Sequence, residues 1–143
     1  MDPADAAYFT TEVQPLLDDP SIVVVGEIGE GEKSDFLGHA KALLFPIDWP
    51  EPFGLVMIEA LACGTPVVAF RGGSVEEVLD DGVTGFVVDT VEAAIDATRR
   101  IDTLDRSQCR AVFEARFTSA RMAEDYLQMY QRVIETWPLH ATA

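Results

Sequence analysis

Four short apolar runs, Ile22–Val25, Ala42–Phe45, Val67–Phe70 and Gly85–Val88, are each bounded by turn residues and separated by stretches of helical character. Runs this short and this rich in β-branched residues read as strands. Helices are expected at about Asp5–Leu17, Glu32–Ala40, Phe53–Cys63, Val75–Asp80 and Val91–Leu104. Two closing helices follow, Arg106–Phe117 and Ser119–Trp137. Strands that alternate with helices are joined by crossovers. That predicts an α/β fold with a parallel sheet of about four strands, covered by helices on both faces. No internal repeat or low-complexity linker breaks the 143 residues, so one domain with its own core is expected.

The chemistry concentrates in one stretch. Glu51-Pro-Phe-Gly-Leu-Val-Met-Ile-Glu59 runs on into Ala-Leu-Ala-Cys-Gly-Thr-Pro-Val-Val-Ala-Phe70. Around Glu59 the expected helix is apolar on every side, which is the mark of a buried helix. A carboxylate there needs a partner, because burying an uncompensated charge is costly. A ligand offering hydroxyls is one such partner, and an internal ion pair is the other. Glu59 is therefore expected to be largely buried. Glu51 precedes the helix in a loop stiffened by Pro50 and Pro52. It reads either as a ligand-facing acid or as a partner of the helix dipole. The amides of Phe53, Gly54 and Leu55 open the helix and are suited to binding phosphate. Ligands of open α/β sheets bind beyond the carboxyl ends of the strands, and this loop follows the strand Ala42–Phe45.

The run Pro46-Ile-Asp-Trp-Pro-Glu-Pro-Phe-Gly-Leu-Val-Met-Ile-Glu-Ala-Leu-Ala-Cys-Gly-Thr-Pro-Val-Val-Ala69 resembles the nucleotide-sugar motif of family 4 retaining glycosyltransferases. These are the glycosyl transferases group 1, of GT-B fold. Gly72-Gly-Ser-Val-Glu-Glu-Val78 and Asp81-Gly-Val-Thr-Gly-Phe-Val-Val88 extend the match, as does Val23-Val-Val-Gly-Glu-Ile28 upstream. The resemblance implies a partial Rossmann-like donor-binding domain. Glu51 would contact the donor sugar near its reacting carbon. Phe53, Gly54 and Leu55 would bind sugar and diphosphate, Glu59 the ribose hydroxyls, and Ile28 the base. The donor would be a UDP- or GDP-sugar, with no further cofactor and no essential metal. The resemblance also implies that an acceptor-binding N-terminal domain lies outside this sequence, together with the first two strand–helix units and their phosphate-binding Arg and Lys. The isolated chain is then expected to be inactive.

Charge excludes other classes. The net charge of −15 argues against nucleic acid as a partner, which calls for a basic face. It also disfavours anionic membrane. Residues 1–89 hold 17 acids but only the bases Lys33, Lys41 and Arg71, whereas residues 90–143 hold 8 acids and 7 arginines. No apolar run is long enough to span a bilayer. Cys63 and Cys109 read as reduced thiols of a cytoplasmic protein.

Smaller features have plain structural readings: Gly64-Thr-Pro66 as a helix stop, Gly72-Gly73 and Gly82 as turns, Ser74 as an N-cap and Trp49 as loop packing. The stripe Met122, Ala123, Tyr126, Leu127, Tyr130, Val133, Ile134 and Trp137 of the last helix reads as packing surface. Self-association is expected through that helix or through the strand edge at Ile22–Val25. The alternative function is a non-catalytic interaction or oligomerisation module. A glycosidase using Glu51 and Glu59 is disfavoured, because hydrolases set two carboxyl groups on opposite sides of the bond.

Overall fold

The computed structural model describes residues 3–137, and its contacts divide the chain into two compact units, residues 1–33 and 34–143. In the first, α1 (Pro3–Tyr8) widens into a π-turn at Phe9–Val13 and then tightens into a 3₁₀ turn at Gln14–Asp18. Pro15 accounts for the break. It has no N–H to donate, and its ring crowds the carbonyl four residues back. Asp19 closes the turn by accepting the Ser21 amide at 2.8 Å.

The residues Ile22–Val25, expected as a strand, form none: they pair with no strand, and their side chains are exposed. Among the described residues the sheet therefore has three strands. A β-branched run becomes a strand only when a neighbour completes its hydrogen-bond ladder. Among the described residues the run makes a single backbone bond, from Ile22 N–H to Asp19 O at 2.9 Å.

The second unit begins within α2 (Glu30–His39). It then alternates β1 (Leu43–Phe45), α3 (Leu55–Ala62), β2 (Val67–Phe70), α4 (Val75–Val78), β3 (Gly85–Val88) and α5 (Val91–Arg100). The helices α6 (Arg106–Arg116) and α7 (Ser119–Thr136) close it. The strands lie in the order β1-β2-β3, all parallel, with Leu43 opposite Val67 and Val67 opposite Gly85. Strand alternation sorts β2 between two cores. Val67 and Ala69 pack with Met57, Leu61 and Cys109 of α3 and α6, while Val68 packs with Phe86, Ala97 and Ile101. Helices therefore cover both faces.

Two devices fix the helix ends. α3 stops in a Schellman arrangement, with Thr65 N–H donating to Ala60 O at 2.8 Å and Gly64 N–H to Leu61 O at 2.9 Å. The Gly64-Thr-Pro66 stop is thus a true helix terminus. The second device is α6, whose arginines reach the carboxyl ends of three other helices. Arg106 donates to Ala40 O at 2.7 Å and Gly38 O at 2.8 Å, Arg110 to Ala62 O at 2.5 Å, and Arg116 to Glu77 O. Each guanidinium satisfies carbonyls that have no acceptor role left inside their own helix, at the negative end of its dipole. Asp105 caps α6 itself, and its bonds to the Ser107 hydroxyl and amide hold its carboxyl below the usual aspartate range. Cys109 is fully buried, and that burial pushes its thiol up, so it stays protonated.

α7 is different. None of its residues is buried, and Met122, Tyr126, Tyr130, Ile134 and Trp137 all stand in solvent. A groove of about 380 Å³ also lies open on the β1 side of the second core, walled by Leu44, Val68, Phe70, Val91 and Ile95.

Candidate functional site

The carboxyl ends of β1 and β2 lead into two loops, residues 46–54 and 71–74, and the candidate site residues gather where these loops meet α3. Gly54 is the N-cap of α3 at φ 71°, a left-handed conformation that glycine adopts without strain. A Cβ there would fall 2.5 Å from the Met57 methyl, which would have to shift, and the left-handed φ strains any other residue. Because of this turn α3 begins at Leu55, two residues later than the sequence implies.

The turn also brings Glu51 back onto the helix start. Its Oε1 accepts the Gly54 amide at 3.2 Å, and its Oε2 accepts the Trp49 indole N–H at 3.2 Å. Trp49 therefore does more than fill the loop, since it holds a carboxylate oxygen. The first turn of α3 leaves the Leu55 and Val56 amides without intrahelical acceptors. Amide donors, the positive end of the helix dipole and one carboxylate thus converge within a few residues. That arrangement suits a ligand with both anionic and hydroxyl groups.

Glu59 lies one turn further along, about 6 Å up the axis from Leu55. It is mostly covered, as expected, but stands outside the fully buried stripe of the helix. The reason is its angular position. Met57, Ile58, Ala60 and Leu61 form the buried stripe, and Glu59 falls on the opposite side of the helix with Leu55 and Ala62. Phe53 and Leu55 are exposed, and their side chains wall a cavity of about 550 Å³ whose other side is Phe117, Met122, Tyr126 and Met129. Of the three expected amide donors, Gly54 N–H is the one bonded to Glu51. Ile28 belongs to the first unit, in the irregular segment after Gly26, and is partly buried there.

Two features escaped the sequence reading. Ser74 occupies an N-cap position, yet its side chain makes no cap bond. Instead its backbone N–H donates to Glu51 O at 2.9 Å. Arg71, at the end of β2, is paired with Glu76 and, at 3.0 Å, with Asp89. The only hint in the sequence was the Gly-Gly pair directly after a strand. Among the described residues no group of His, Cys, Asp and Glu is arranged to hold a metal ion.

The family model described as "Glycosyl transferases group 1" matches residues 5–116. The chain belongs to this family. Among curated relatives, this glycosyltransferase-family chain is 37% identical over 86 residues to a probable sucrose-phosphate synthase of Thermosipho melanesiensis, covering 57% of this chain and 20% of that protein. It is 36% identical over 94 residues to D-inositol 3-phosphate glycosyltransferase of Mycolicibacterium smegmatis, covering 62% of this chain and 22% of that protein. Among solved structures, sucrose-phosphate synthase from Thermosynechococcus elongatus matches with a TM-score of 0.74 at 28% identity, over 92% of this chain and 35% of that one. HepE of Anabaena in complex with UDP matches with a TM-score of 0.60 at 26% identity, over 68% of this chain and 29% of that one. The family member described here thus spans about a third of the length of its structural neighbours and matches about a fifth of these curated relatives.

Proposed function

We propose that this chain is the donor-binding part of a retaining glycosyltransferase, taking a nucleotide-sugar and passing its sugar to an acceptor. The observation that carries the reading is the pairing of Glu51 with the amide start of α3, one turn below Glu59. In this reading the α3 amides receive the diphosphate, Glu51 the sugar ring near its reacting carbon, and Glu59 the ribose hydroxyls. Ile28 meets the base. The donor is a UDP- or GDP-sugar, no metal or other cofactor is required, and the location is cytoplasmic. Likeness to a structure solved with UDP supports a uridine nucleotide as the first probe. No helix among the described residues is long and apolar enough to cross a membrane.

Transfer by this chain alone should be slow. The leaving diphosphate needs cations or preorganised dipoles aimed at it, and losing one such donor typically costs about 10²–10³ in rate. The bases of residues 1–89 are already engaged: Lys33 with Glu30 at 2.8 Å, Lys41 with Asp102 at 2.6 Å, and Arg71 with Glu76 and Asp89. Isothermal titration with UDP and GDP tests the donor site. Saturable binding of one of them is expected, and failure of both at millimolar concentration would remove the reading.

The exposed stripe of α7 and the unpaired Ile22–Val25 favour a second reading, a module that binds its own copies. Light scattering between about 10 and 500 µM should then show mass rising with concentration. A constant monomer mass across that range would discard it. Net charge opposes the association, so added salt should strengthen it.

A further inference from the structure

We propose that the turn Arg71–Ser74 is the positioning element for Glu51, acting through the Gly73 α-carbon and the Ser74 amide; the proposal rests on the donor-site reading given above. Two loops that follow different strands meet here at van der Waals distance. A Cβ on Gly73 would stand 2.2 Å from Glu51 O, 2.6 Å from Glu51 N and 2.9 Å from Pro50 C. These are backbone atoms and cannot swing aside. Gly73 also has φ 51°, in the left-handed region. The adjacent Ser74 N–H donates to Glu51 O at 2.9 Å. The backbone of Glu51 is thus held by the turn after β2, while its carboxylate is held by Gly54 and Trp49.

The turn is itself braced. Arg71 N–H donates to Val88 O at 2.8 Å, and the Arg71 guanidinium joins Asp89 after β3 to Glu76 on α4. The Ser74 hydroxyl is buried and has no hydrogen-bond partner. The hold on Glu51 is therefore a property of the Ser74 backbone and not of its side chain. A carboxylate meant to meet one sugar carbon needs this kind of fixed base, because a misplacement of about 1 Å can cost about 10²-fold in rate. The Gly73 α-carbon and the Ser74 backbone amide are the positioning groups, and the Ser74 side chain has no part in the hold.

The test compares Gly73→Ala and Ser74→Ala with the parent chain. In ¹H–¹⁵N spectra without ligand, Gly73→Ala should move the Gly54 amide and the Trp49 indole resonances, while Ser74→Ala leaves both in place. With UDP-glucose and UDP as probes, Gly73→Ala should reduce the affinity gained from the glucose group by about tenfold or more. UDP alone should bind within about twofold of the parent. Ser74→Ala should match the parent in both titrations.

Unmoved Gly54 and Trp49 resonances in Gly73→Ala, or a Ser74→Ala variant as impaired as Gly73→Ala, would overturn the proposal. If Gly73→Ala does not fold, hydrogen exchange of the parent decides. A Ser74 amide protected well beyond the neighbouring loop amides supports the proposal, and one exchanging at loop rates overturns it. If the parent binds neither probe, the donor reading fails, but the spectra still decide whether the turn positions Glu51.

Discussion

Arg106→Ala is expected to lower the melting midpoint by about 10 °C. The side chain is partly buried and makes three directed bonds, to Gly38 O at 2.8 Å, Ala40 O at 2.7 Å and Thr65 Oγ1 at 2.8 Å. Thr65, fully buried, passes the chain on to Leu37 O at 2.7 Å. Hydrogen bonds from a charged donor contribute about 1.5–3 kcal/mol, and truncation also leaves acceptors in a low-dielectric place without partners. A loss of about 3 kcal/mol corresponds to roughly 10 °C for a domain of this size. Arg106→Lys should recover only part of it, since an ammonium cannot span three acceptors with a planar fork. Differential scanning calorimetry reads the result, and a shift below about 2 °C would show that the network contributes little.

Glu59→Ala is expected to weaken UDP binding by about 10- to 100-fold, the range for losing one or two hydrogen bonds to a charged group. Its effect on stability should be small, within about 1 kcal/mol, because Glu59 lies away from the buried stripe of α3. The exposed Glu77→Ala serves as a control for the loss of one negative charge. Parallel titrations of both variants check the claim. Equal affinities for the two would exclude Glu59 from the ribose-binding role.

The strands β2 and β3 and most helices were legible in the sequence because their signals are local. Val67–Phe70 and Gly85–Val88 are apolar runs between turn residues, and both emerge with the expected bounds. Ile22–Val25 carries the same composition and is not a strand, since pairing depends on a neighbour that composition does not reveal. The single helix expected over Asp5–Leu17 is instead α1, a π-turn and a 3₁₀ turn, because Pro15 interrupts its hydrogen bonding. The start of α3 moved to Leu55 because the left-handed turn at Gly54 outweighs the helix preference of the residues around it. Within the site, Glu51, Phe53, Gly54, Leu55 and Glu59 are close in sequence, so their proximity was foreseeable. The contact between Gly73 and Glu51 was not, because it joins loops after two different strands. The Arg106 bonds span 66 and 68 residues and leave no periodic trace.

Those long spans bear on the order in which the molecule assembles. A helix end waiting for a partner 66 to 68 residues downstream must wait for that partner to be made. At synthesis rates of about 5–20 residues per second, the delay is roughly 3–14 s. Until α6 emerges, the carboxyl ends of α2, α3 and α4 lack their guanidinium donors, and the apolar face against which Cys109 packs is open to solvent. The nascent chain is then a collapsed but unsealed sheet, a state prone to sticking to its neighbours. Contacts so distant in sequence also slow the refolding of the finished chain. The arrival of α6 thus seals the carboxyl ends of three earlier helices, and chaperone dependence is expected to fall once residues 106–116 are free to dock.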